Sequence, residues 1–372
     1  MHIAIEKVEQ YEAGAVRAFL ERTLRPAMEA RPEARRVLVK PNLLGAFKPE
    51  RAVTTHPVVV EQTVRLLLDM GREVVVGDSP GGTVPVSQVY AETGIEAVAR
   101  ECGVPLLDFK QEGIREVKVD GVDLWVTQAL HDCDAVVNLC KYKTHTLMLY
   151  TGAVKNLYGL VPGMKKSLYH RDYQRPEDFM KVLLALYGLV RPKLVYSVLD
   201  GIVGMEGEGP SGGKARRFGV LMGSESASAL DLIAARMLGF EMRHLGYITQ
   251  ALHDDGVLPS RVTVDEGWEG FRFDSVDTLS VRMRHMLAGN TPRFVRNAFT
   301  KLFDFYPEFA ENCKKCGICV ESCPVDALSL GAGDDRPQLN LNACIRCMCC
   351  HEMCPHNAVD VRKSWLAQRI LR

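Results

Sequence analysis

The residues of this chain whose spacing most clearly carries chemistry are cysteines near its C-terminal end. Two runs share one pattern: two residues separate the first three cysteines, three residues precede the fourth, and a proline follows it. The runs consist of Cys313, Cys316, Cys319 and Cys323, then Cys344, Cys347, Cys350 and Cys354. Bacterial ferredoxins bind iron–sulfur cubes with this spacing, because closely spaced thiolates face one cube from a tight loop. We therefore predict two [4Fe-4S] clusters.

The proline after the fourth cysteine of each run turns the chain away and delivers that sulfur to the other cube. We assign the first cluster to Cys313, Cys316, Cys319 and Cys354, and the second cluster to Cys344, Cys347, Cys350 and Cys323. Cys349 breaks the pattern, and the register of the first run favours Cys350 as the ligand and Cys349 as a packed thiol. Zinc sites usually take four ligands as two pairs, and they do not explain two matching runs.

Composition limits the cellular context and the partners. Nine of the twelve cysteines lie between Cys313 and Cys354, whereas a disulfide-stabilised secreted protein would carry cysteines throughout. The N-terminal residues lack the features of a secretion signal, and no apolar run reaches the roughly 18 residues of a membrane span. Lys plus Arg (46) equals Asp plus Glu (46), so no basic field exists to recruit nucleic acid. We predict a cytoplasmic protein with no membrane span and no nucleic-acid partner.

Upstream of the cysteines, strand-like and helix-like stretches alternate. The strand candidates are apolar runs at 37–39, 73–77, 104–107, 135–139, 194–199 and 218–222, and the helix candidates lie at 57–68, 86–99, 179–190 and 227–238. Such alternation predicts an α/β fold, with a mostly parallel sheet and helices on both of its faces. Alternating polar and apolar residues around Asp120-Gly121 predict a β-hairpin inserted over 116–126.

The length of 372 residues indicates more than one domain. We predict an α/β domain at 1–240, a connecting helical region at 241–305 that ends in an amphipathic helix over 293–305, and a small α+β domain of the two-cluster ferredoxin type at 306–363. Two adjacent clusters can pass electrons from one to the other. The α/β domain is the candidate for the place where this electron path ends.

The segment 138–171 is basic in a chain whose charges balance. It contains five lysines, one arginine and two histidines, but no Asp or Glu. Lys143 closely follows a strand candidate, and ligands of open α/β sheets bind where strands end. We predict that Lys143, Lys155 and Asn156 bind an anion, helped by the free amides of a helix that begins near Gly152. The alternative is a solvated basic face.

Two further loops follow strand candidates at the same edge of the predicted sheet. Lys40 and Asn42 come directly after one strand candidate, and Asp78 begins a glycine-rich loop after the next. Three loops at one edge predict a ligand site to which Lys40, Asn42 and Asp78 contribute. His56 and His145 are the candidate acid–base residues, because imidazole titrates near neutral pH, although a lone histidine more often has a structural role. We select His145 as the catalytic candidate.

The loop after Asp200 is rich in glycine and in acidic residues. Asp200, Glu206 and Glu208 could bind a divalent cation through oxygen, or could form a solvated loop. The letters Gly207-x-Gly209-x-x-Gly212 match the dinucleotide-binding pattern, but Pro210 and a strand in place of the expected helix exclude it.

Short motifs in the predicted α/β domain resemble a known family. They are Val39-Lys40-Pro41-Asn42, Thr54-Thr55-His56-Pro57, Gly77-Asp78-Ser79, Lys143-Thr144-His145, Lys155-Asn156-Leu157, Gly201-Ile202-Val203-Gly204-Met205-Glu206-Gly207 and Ala229-Leu230-Asp231. Together they resemble the family called domain of unknown function 362, over roughly residues 1 to 240. Members of that family often carry a C-terminal two-cluster ferredoxin domain. The resemblance implies an iron–sulfur protein, and it supplies no established catalytic residue.

These features predict an iron–sulfur oxidoreductase. The clusters would relay single electrons between an external ferredoxin-like protein partner and an anionic small molecule held near Lys143 and Lys155, with His145 moving a proton. The alternative is an electron carrier, or a docking subunit of a larger redox complex, without chemistry of its own. A third possibility is a metal- or cofactor-handling protein that uses the acidic loop.

Overall fold

A nine-stranded sheet forms the centre of the protein. The computed structural model describes residues 1–278, 281–282 and 305–364. The strands up to residue 264 are β1 (His2–Lys7), β2 (Arg36–Pro41), β3 (Glu73–Asp78), β4 (Leu106–Asp108), β5 (Ile114–Val119), β6 (Val122–Thr127), β7 (Ala135–His145), β8 (Leu149–Thr151), β9 (Leu194–Glu206), β10 (Lys214–Ser224) and β11 (Thr263–Val264). The sheet order is β11-β1-β10-β9-β7-β2-β3-β4, with β8 paired to β7.

Parallel pairings dominate this sheet, as the sequence predicts. β9, β7, β2, β3 and β4 pair in parallel, as β1 and β11 do, whereas β10 is antiparallel to both β1 and β9 and β8 is antiparallel to β7. The parallel strands are near-continuous apolar runs because both of their faces are buried. β5 and β6 form the predicted hairpin as a separate two-stranded sheet.

Helices cover both faces of the sheet, which confirms the predicted fold class. They are α1 (Ala13–Glu29), α2 (Pro57–Asp69), α3 (Val86–Glu92), α4 (Ile95–Cys102), α5 (Ala129–Asp132), α6 (Ala153–Asn156), α7 (Lys165–Asp172), α8 (Pro176–Val190), α9 (Ala227–Met237) and α10 (Gly246–Asp254). One hydrophobic core joins α1, α2 and α4 to the sheet, and a second core joins α8, α9 and α10 to its other face. The single helix predicted over 86–99 is two helices, because Gly94 adopts a left-handed conformation (φ 77°) between them.

The region predicted to connect the two domains contributes to the large sheet. α10 packs on α8 and α9, and β11 pairs with β1 at the sheet edge. The helix predicted over 293–305 lies outside the described residues except for Phe305, which begins a strand. No helix in the described ranges combines the length and the apolar character that a membrane crossing requires.

The C-terminal unit is small and internally repeated. It consists of β12 (Phe305–Phe309), α11 (Ile318–Glu321), β13 (Leu328–Ser329), β14 (Gln338–Leu339), α12 (Cys349–Glu352) and β15 (Val359–Lys363). β12 pairs with β15, and β13 pairs with β14. Left-handed residues recur at matching points of the two cysteine runs: Lys315 and Arg346, Gly317 and Met348, Asp326 and Asn357. After the last pair of these turns, the N–H groups of Ala327 and Ala358 donate to cysteine sulfur atoms, and such turns are a common way for loops to surround iron–sulfur groups.

Candidate functional site

Cysteines line two cavities in the C-terminal unit. The outer cysteine cavity is lined by the quartet Cys313, Cys316, Cys319 and Cys354. The inner cysteine cavity is lined by the quartet Cys323, Cys344, Cys347 and Cys350, and also by Cys349. Each has a volume of about 330 Å³, including the part open to solvent. The quartets are the ones that the sequence predicts for the two clusters, with three cysteines from one run and the fourth from the other.

The surroundings of these cysteines fit [4Fe-4S] groups. Backbone N–H groups approach sulfur at matching positions, from Ala327 to Cys323 Sγ (3.2 Å) and from Ala358 to Cys354 Sγ (3.3 Å). Such hydrogen bonds, together with an apolar shell, tune the potential of a thiolate-bound cluster. In the described part of the chain, no three His, Cys, Asp or Glu side chains are placed to hold a single metal ion.

A larger cavity lies between the sheet edge and α12, and we call it the interface cavity. Its volume is about 770 Å³, including the part open to solvent. The polar residues that line it are Asn42, Asp78, Ser79, Lys143, Thr151, Lys155, Asn156, Tyr158, Lys166, Ser167, His170, Ser322 and Glu352. Five of the six predicted ligand residues are therefore brought together. Lys40 lies behind the wall, fully buried and paired with Asp78 at 2.9 Å.

Close contacts hold α12 against the large unit at this cavity. A Cβ atom at Gly81 would lie 2.1 Å from Met353 Sδ, so the glycine in the loop after β3 packs directly against the Met353 side chain of the C-terminal unit. Nε2 of His351 lies 3.4 Å from the backbone oxygen of Glu208, and Ser211 Oγ donates to the backbone oxygen of His351 (3.4 Å). The cavity walls therefore come from both units.

Cys349 is the cysteine that joins the cavities. It is buried, and it lines both the inner cysteine cavity and the interface cavity. In the second run it stands where Ile318 stands in the first. The side chain of Cys349 therefore lies between the inner quartet and the interface cavity, so a single residue separates the two.

A chain of amides positions Lys143. Its Nζ donates to Asn42 Oδ1 and to the backbone oxygen of Val53, both at 2.7 Å. Asn42 Nδ2 donates to Asn156 Oδ1 (3.0 Å), and Asn156 Nδ2 donates to Asn138 Oδ1 (2.8 Å). Because each amide donates to the next, the orientation of all three amides is set, and the ammonium group is held at the cavity by neutral partners.

Burial changes the protonation of the lysines in the interface cavity. Burial, reinforced by the charge of Lys155, lowers the pKa of Lys143 to about 7. Burial also lowers the pKa of Lys166 to about 7, against the opposing effect of Asp78, and it lowers the pKa of Lys155. Among the described residues, these three lysines form no salt bridge with a carboxylate, whereas Lys141 pairs with Asp200 at 2.7 Å. A bound anion would supply the missing charge partner.

Lys166 and His170 are among the lining residues that the sequence did not predict as ligands. Lys166 donates to the backbone oxygen of Ser79, and His170 stacks on Phe179 with ring centroids 4.5 Å apart. Burial, then the charge of Lys155, lowers the pKa of His170 to about 3, so the ring is neutral. Both residues lie on α7, within the basic segment, but no strand end marks them.

The amides predicted to help bind an anion are used by the protein itself. At the start of α6, the N–H groups of Ala153 and Val154 donate to the carboxylate of Asp231 at 2.6 and 2.9 Å. Burial raises the pKa of Asp231 to about 7, although these hydrogen bonds oppose the change. The expectation that these amides face a ligand is therefore wrong, because a buried carboxylate from α9 already occupies them.

His145 is buried beside the interface cavity, and it is absent from the cavity lining that the described residues form. Its Nδ1 accepts hydrogen bonds from the N–H groups of Leu147 (3.0 Å) and Met148 (3.2 Å). These bonds place the proton of the neutral ring on Nε2, which lies 3.6 Å from Glu352 Oε1. Glu352, which lines the cavity, therefore lies between His145 and the cavity.

The acidic loop after Asp200 makes contacts within the protein itself. Asp200 accepts from Lys141 Nζ (2.7 Å), from Tyr11 Oη (2.8 Å) and from the N–H of His56 (2.9 Å). Glu206 pairs with Arg216 at 2.7 Å. Asp200 and Glu206, two of the three acidic residues that could have bound a cation, are therefore engaged by cations of the protein.

Comparison with protein families identifies both parts of the chain. Residues 37–236 match the family model described as "Domain of unknown function (DUF362)", which covers more than half of the sequence. The chain belongs to the DUF362 family. Residues 312–363 match the 4Fe-4S dicluster domain, so this DUF362 chain carries an iron–sulfur electron-transfer domain at its C-terminal end. Both parts of the resemblance noted in the sequence are confirmed.

Relatives exist for each part of this DUF362 chain. A thylakoid-associated protein of Synechocystis sp. is 31% identical over 243 residues, which cover 63% of this chain and 74% of the relative. A ferredoxin of Alicyclobacillus acidocaldarius is 41% identical over 46 residues, 12% of this chain and 56% of the ferredoxin. The chain therefore spans less than two thirds of the ferredoxin.

Two solved structures resemble the large unit of the DUF362 chain at low identity. A protein from Thermotoga maritima aligns with a TM-score of 0.38 and 14% identity, over 66% of this chain and 60% of that one. The lactate racemase apoprotein from Thermoanaerobacterium thermosaccharolyticum aligns with a TM-score of 0.41 and 13% identity, over 63% and 56%. The chain spans less than two thirds of either structure.

Proposed function

We propose that this protein transfers single electrons, through two [4Fe-4S] clusters, to or from an anionic small molecule bound in the interface cavity. The observation that carries the proposal is the position of Cys349, which lines both the inner cysteine cavity and the interface cavity. A cluster on the inner quartet would lie one residue away from the bound molecule. Electron transfer over so short a distance needs no further carrier.

The outer cluster is the proposed contact with an external protein. Cys316 is the one cluster cysteine classed as exposed, and the others are buried or half-buried. Lys314 and Lys315 beside it are exposed as well. We therefore propose that an acidic, ferredoxin-like partner exchanges electrons at this face, and that the inner cluster serves the interface cavity. The cytoplasmic location predicted from the sequence is part of this proposal.

The lysines give the interface cavity its proposed role. Lys143 and Lys155 would hold the anionic group of the ligand, and Asn42 and Asn156 would keep Lys143 in place. Each electron that enters a bound molecule adds negative charge, and fixed cations in a water-poor cavity stabilise such charge. His145 would supply the accompanying proton by way of Glu352.

Electrons balance in either direction of this scheme. In the reducing direction the external partner loses one electron per step, each cluster passes it on, and the ligand gains it together with one proton. In the oxidising direction the ligand loses the electron and the proton, and the partner is reduced. The second candidate, an electron carrier without a substrate, would involve the clusters alone.

Anaerobic purification followed by mass spectrometry of the molecule released on denaturation tests the proposal. The released compound is then added back to protein with reduced or oxidised clusters, and the cluster absorbance is followed in a stopped-flow instrument. We expect the clusters to exchange electrons with it, and the Lys143→Ala Lys155→Ala variant to lose both binding and exchange. Iron-free protein would contradict the proposal. Loaded clusters without any small molecule would leave the electron carrier as the function.

A further inference from the structure

The interface cavity contains positive charge that the protein does not neutralise. Lys143 donates to two neutral oxygens, those of Asn42 and Val53, and Lys166 donates to the backbone oxygen of Ser79. Along the described chain, neither of these lysines nor Lys155 has a salt bridge to a carboxylate. Buried ammonium groups normally have a charged partner, because their desolvation is unfavourable.

The carboxylates of the cavity do not balance these three ammonium groups. Asp78 accepts from Lys40 Nζ (2.9 Å) and from the N–H groups of Leu43 (2.7 Å) and Ser79 (2.9 Å). Its charge is therefore matched by Lys40, behind the wall. The remaining carboxylate, that of Glu352, can offset one of the three lysines, so two positive charges are left when all three lysines are protonated.

The unmatched lysines reach the cavity from different elements. Lys143, on β7, is held by Asn42 and Val53, and Lys155, on α6, lowers the pKa of Lys143. Lys166, on α7, is held instead by the backbone oxygen of Ser79 in the loop after β3. Because separate loops hold Lys143 and Lys166, the arrangement suits two anionic groups on one molecule.

We propose that the interface cavity binds an organic dianion of the dicarboxylate type. One carboxylate lies between Lys143 and Lys155, next to Cys349, and the second contacts Lys166. The inference rests on the proposed function of this cavity as an anion site, and it names the class of molecule. Tyr158 and Met164 add apolar surface for the carbon skeleton.

Charge selectivity tests the inference, with cluster-loaded protein under oxygen-free conditions. Straight-chain dicarboxylates of increasing length are each compared by calorimetry with the monocarboxylate of equal carbon number, beginning with succinate and butyrate, and with inorganic phosphate. We expect at least one dicarboxylate to bind about tenfold or more tightly than its matched monocarboxylate, because a second charged hydrogen-bonding pair is formed. Equal affinity within every pair, or tighter binding of phosphate than of any dicarboxylate, overturns the inference.

Variants of two neighbouring lysines test whether the second carboxylate contacts Lys166 directly or only benefits from the overall positive charge. Lys166→Met should reduce the affinity for the dicarboxylate to that of the monocarboxylate and leave the latter nearly unchanged. Lys165→Met is the matched control, because Lys165 Nζ lies over the ring of Trp125 at 4.3 Å, and it should preserve the selectivity. If Lys166→Met weakens both compounds equally, the two-ended site is wrong.

The inference and the proposed function fail separately in these experiments. Binding is measured with oxidised clusters and without an electron donor, so dicarboxylate selectivity supports the inference even if no electron reaches the ligand. A monoanion that is released from the purified protein and exchanges electrons with the clusters would support the function and overturn the inference.

Discussion

Lys143 donates a 2.7 Å hydrogen bond to the side-chain oxygen of Asn42, so a buried ammonium group at the cavity has a neutral amide where a carboxylate would ordinarily stand. The amide is itself fixed by Asn156. This pairing orients the cation and leaves its charge available to a ligand. A carboxylate at residue 42 would instead form an internal salt bridge with Lys143, so the proposed anion site depends on the amide.

Asn42→Asp tests that relationship with almost no change of shape. A carboxylate at this position would pair with Lys143, raise its pKa and cancel its charge toward the ligand. We expect affinity for the bound anion to fall about tenfold or more, measured by calorimetry. Asn340→Asp adds the same charge at an exposed position of the C-terminal unit and is the control. Unchanged affinity in Asn42→Asp would contradict the role of Lys143.

The pH dependence of anion binding follows from the lowered lysine pKa values. Burial lowers the pKa of Lys143 and of Lys166 from 10.5 to about 7. A bound anion favours the protonated lysines, so binding should take up protons, and affinity should fall as the pH rises from about 7 to 9. Calorimetry in buffers of different ionisation enthalpy measures the uptake. Affinity that is constant over this range would argue against direct contact with the lysines.

The same shift predicts how the ligand-free protein responds to pH. Between pH about 7 and 10.5 the unfolded chain binds more protons at Lys143 than the folded chain does. The free energy of unfolding therefore gains a contribution that increases with pH across this window and is lowest below pH 7. Lys143→Met should remove that contribution, and denaturant unfolding of both proteins at several pH values tests the expectation. An identical pH slope in the variant would show that Lys143 is not the group responsible.

The two adjacent cysteines of α12 should respond differently to substitution. Cys350→Ser should reduce the iron content from roughly eight to roughly four atoms per chain, because it removes a ligand of the inner cluster. Cys349→Ile, which installs the residue of the matching position 318, should keep roughly eight. Iron and acid-labile sulfide are measured after anaerobic purification. Loss of iron in Cys349→Ile alone would reverse the assigned register.

Charge reversal near Cys316 should slow electron exchange with a protein partner. Lys314→Glu Lys315→Glu should lower the rate of reduction by an acidic ferredoxin about tenfold at low salt, because charges at the edge of an interface act mainly on association. Reduction by a small chemical reductant should not change. Lys118→Glu is the control, since Lys118 is exposed on the β5–β6 hairpin. Equal effects of both variants would place the partner elsewhere.

His145→Asn separates the backbone role of this histidine from its proposed proton role. The asparagine oxygen can still accept from Leu147 and Met148, but the Nε2 that faces Glu352 is lost. Ligand affinity should stay within about twofold, and electron exchange with the ligand should slow by about a hundredfold or more. Stopped-flow absorbance and calorimetry measure the two quantities. A full exchange rate would exclude His145 from proton transfer.

The sequence by itself determined the α/β class and was enough to predict the two cysteine quartets. Both depend on local spacing: strands of a buried parallel sheet must be apolar throughout, and a cube needs thiolates from one tight loop. The tertiary structure decided which of the candidate ligand-binding lysines have a carboxylate partner. Lys40, Lys141, Lys143 and Lys155 look alike in the sequence, yet the first two are matched by Asp78 and Asp200 and the last two are not.

The interface cavity also arises only in the folded chain. Residues 349–353 of the C-terminal unit meet the loops after β2 and β3 across more than two hundred residues of sequence, and no periodicity specifies that contact. In the same way, Asp231 occupies the amides of α6 because α9 packs beside it. Residue types set which interactions are available, but the packing of helices and strands decides which residues meet. Packing therefore decided which lysines have no carboxylate partner and are the proposed contacts of a ligand.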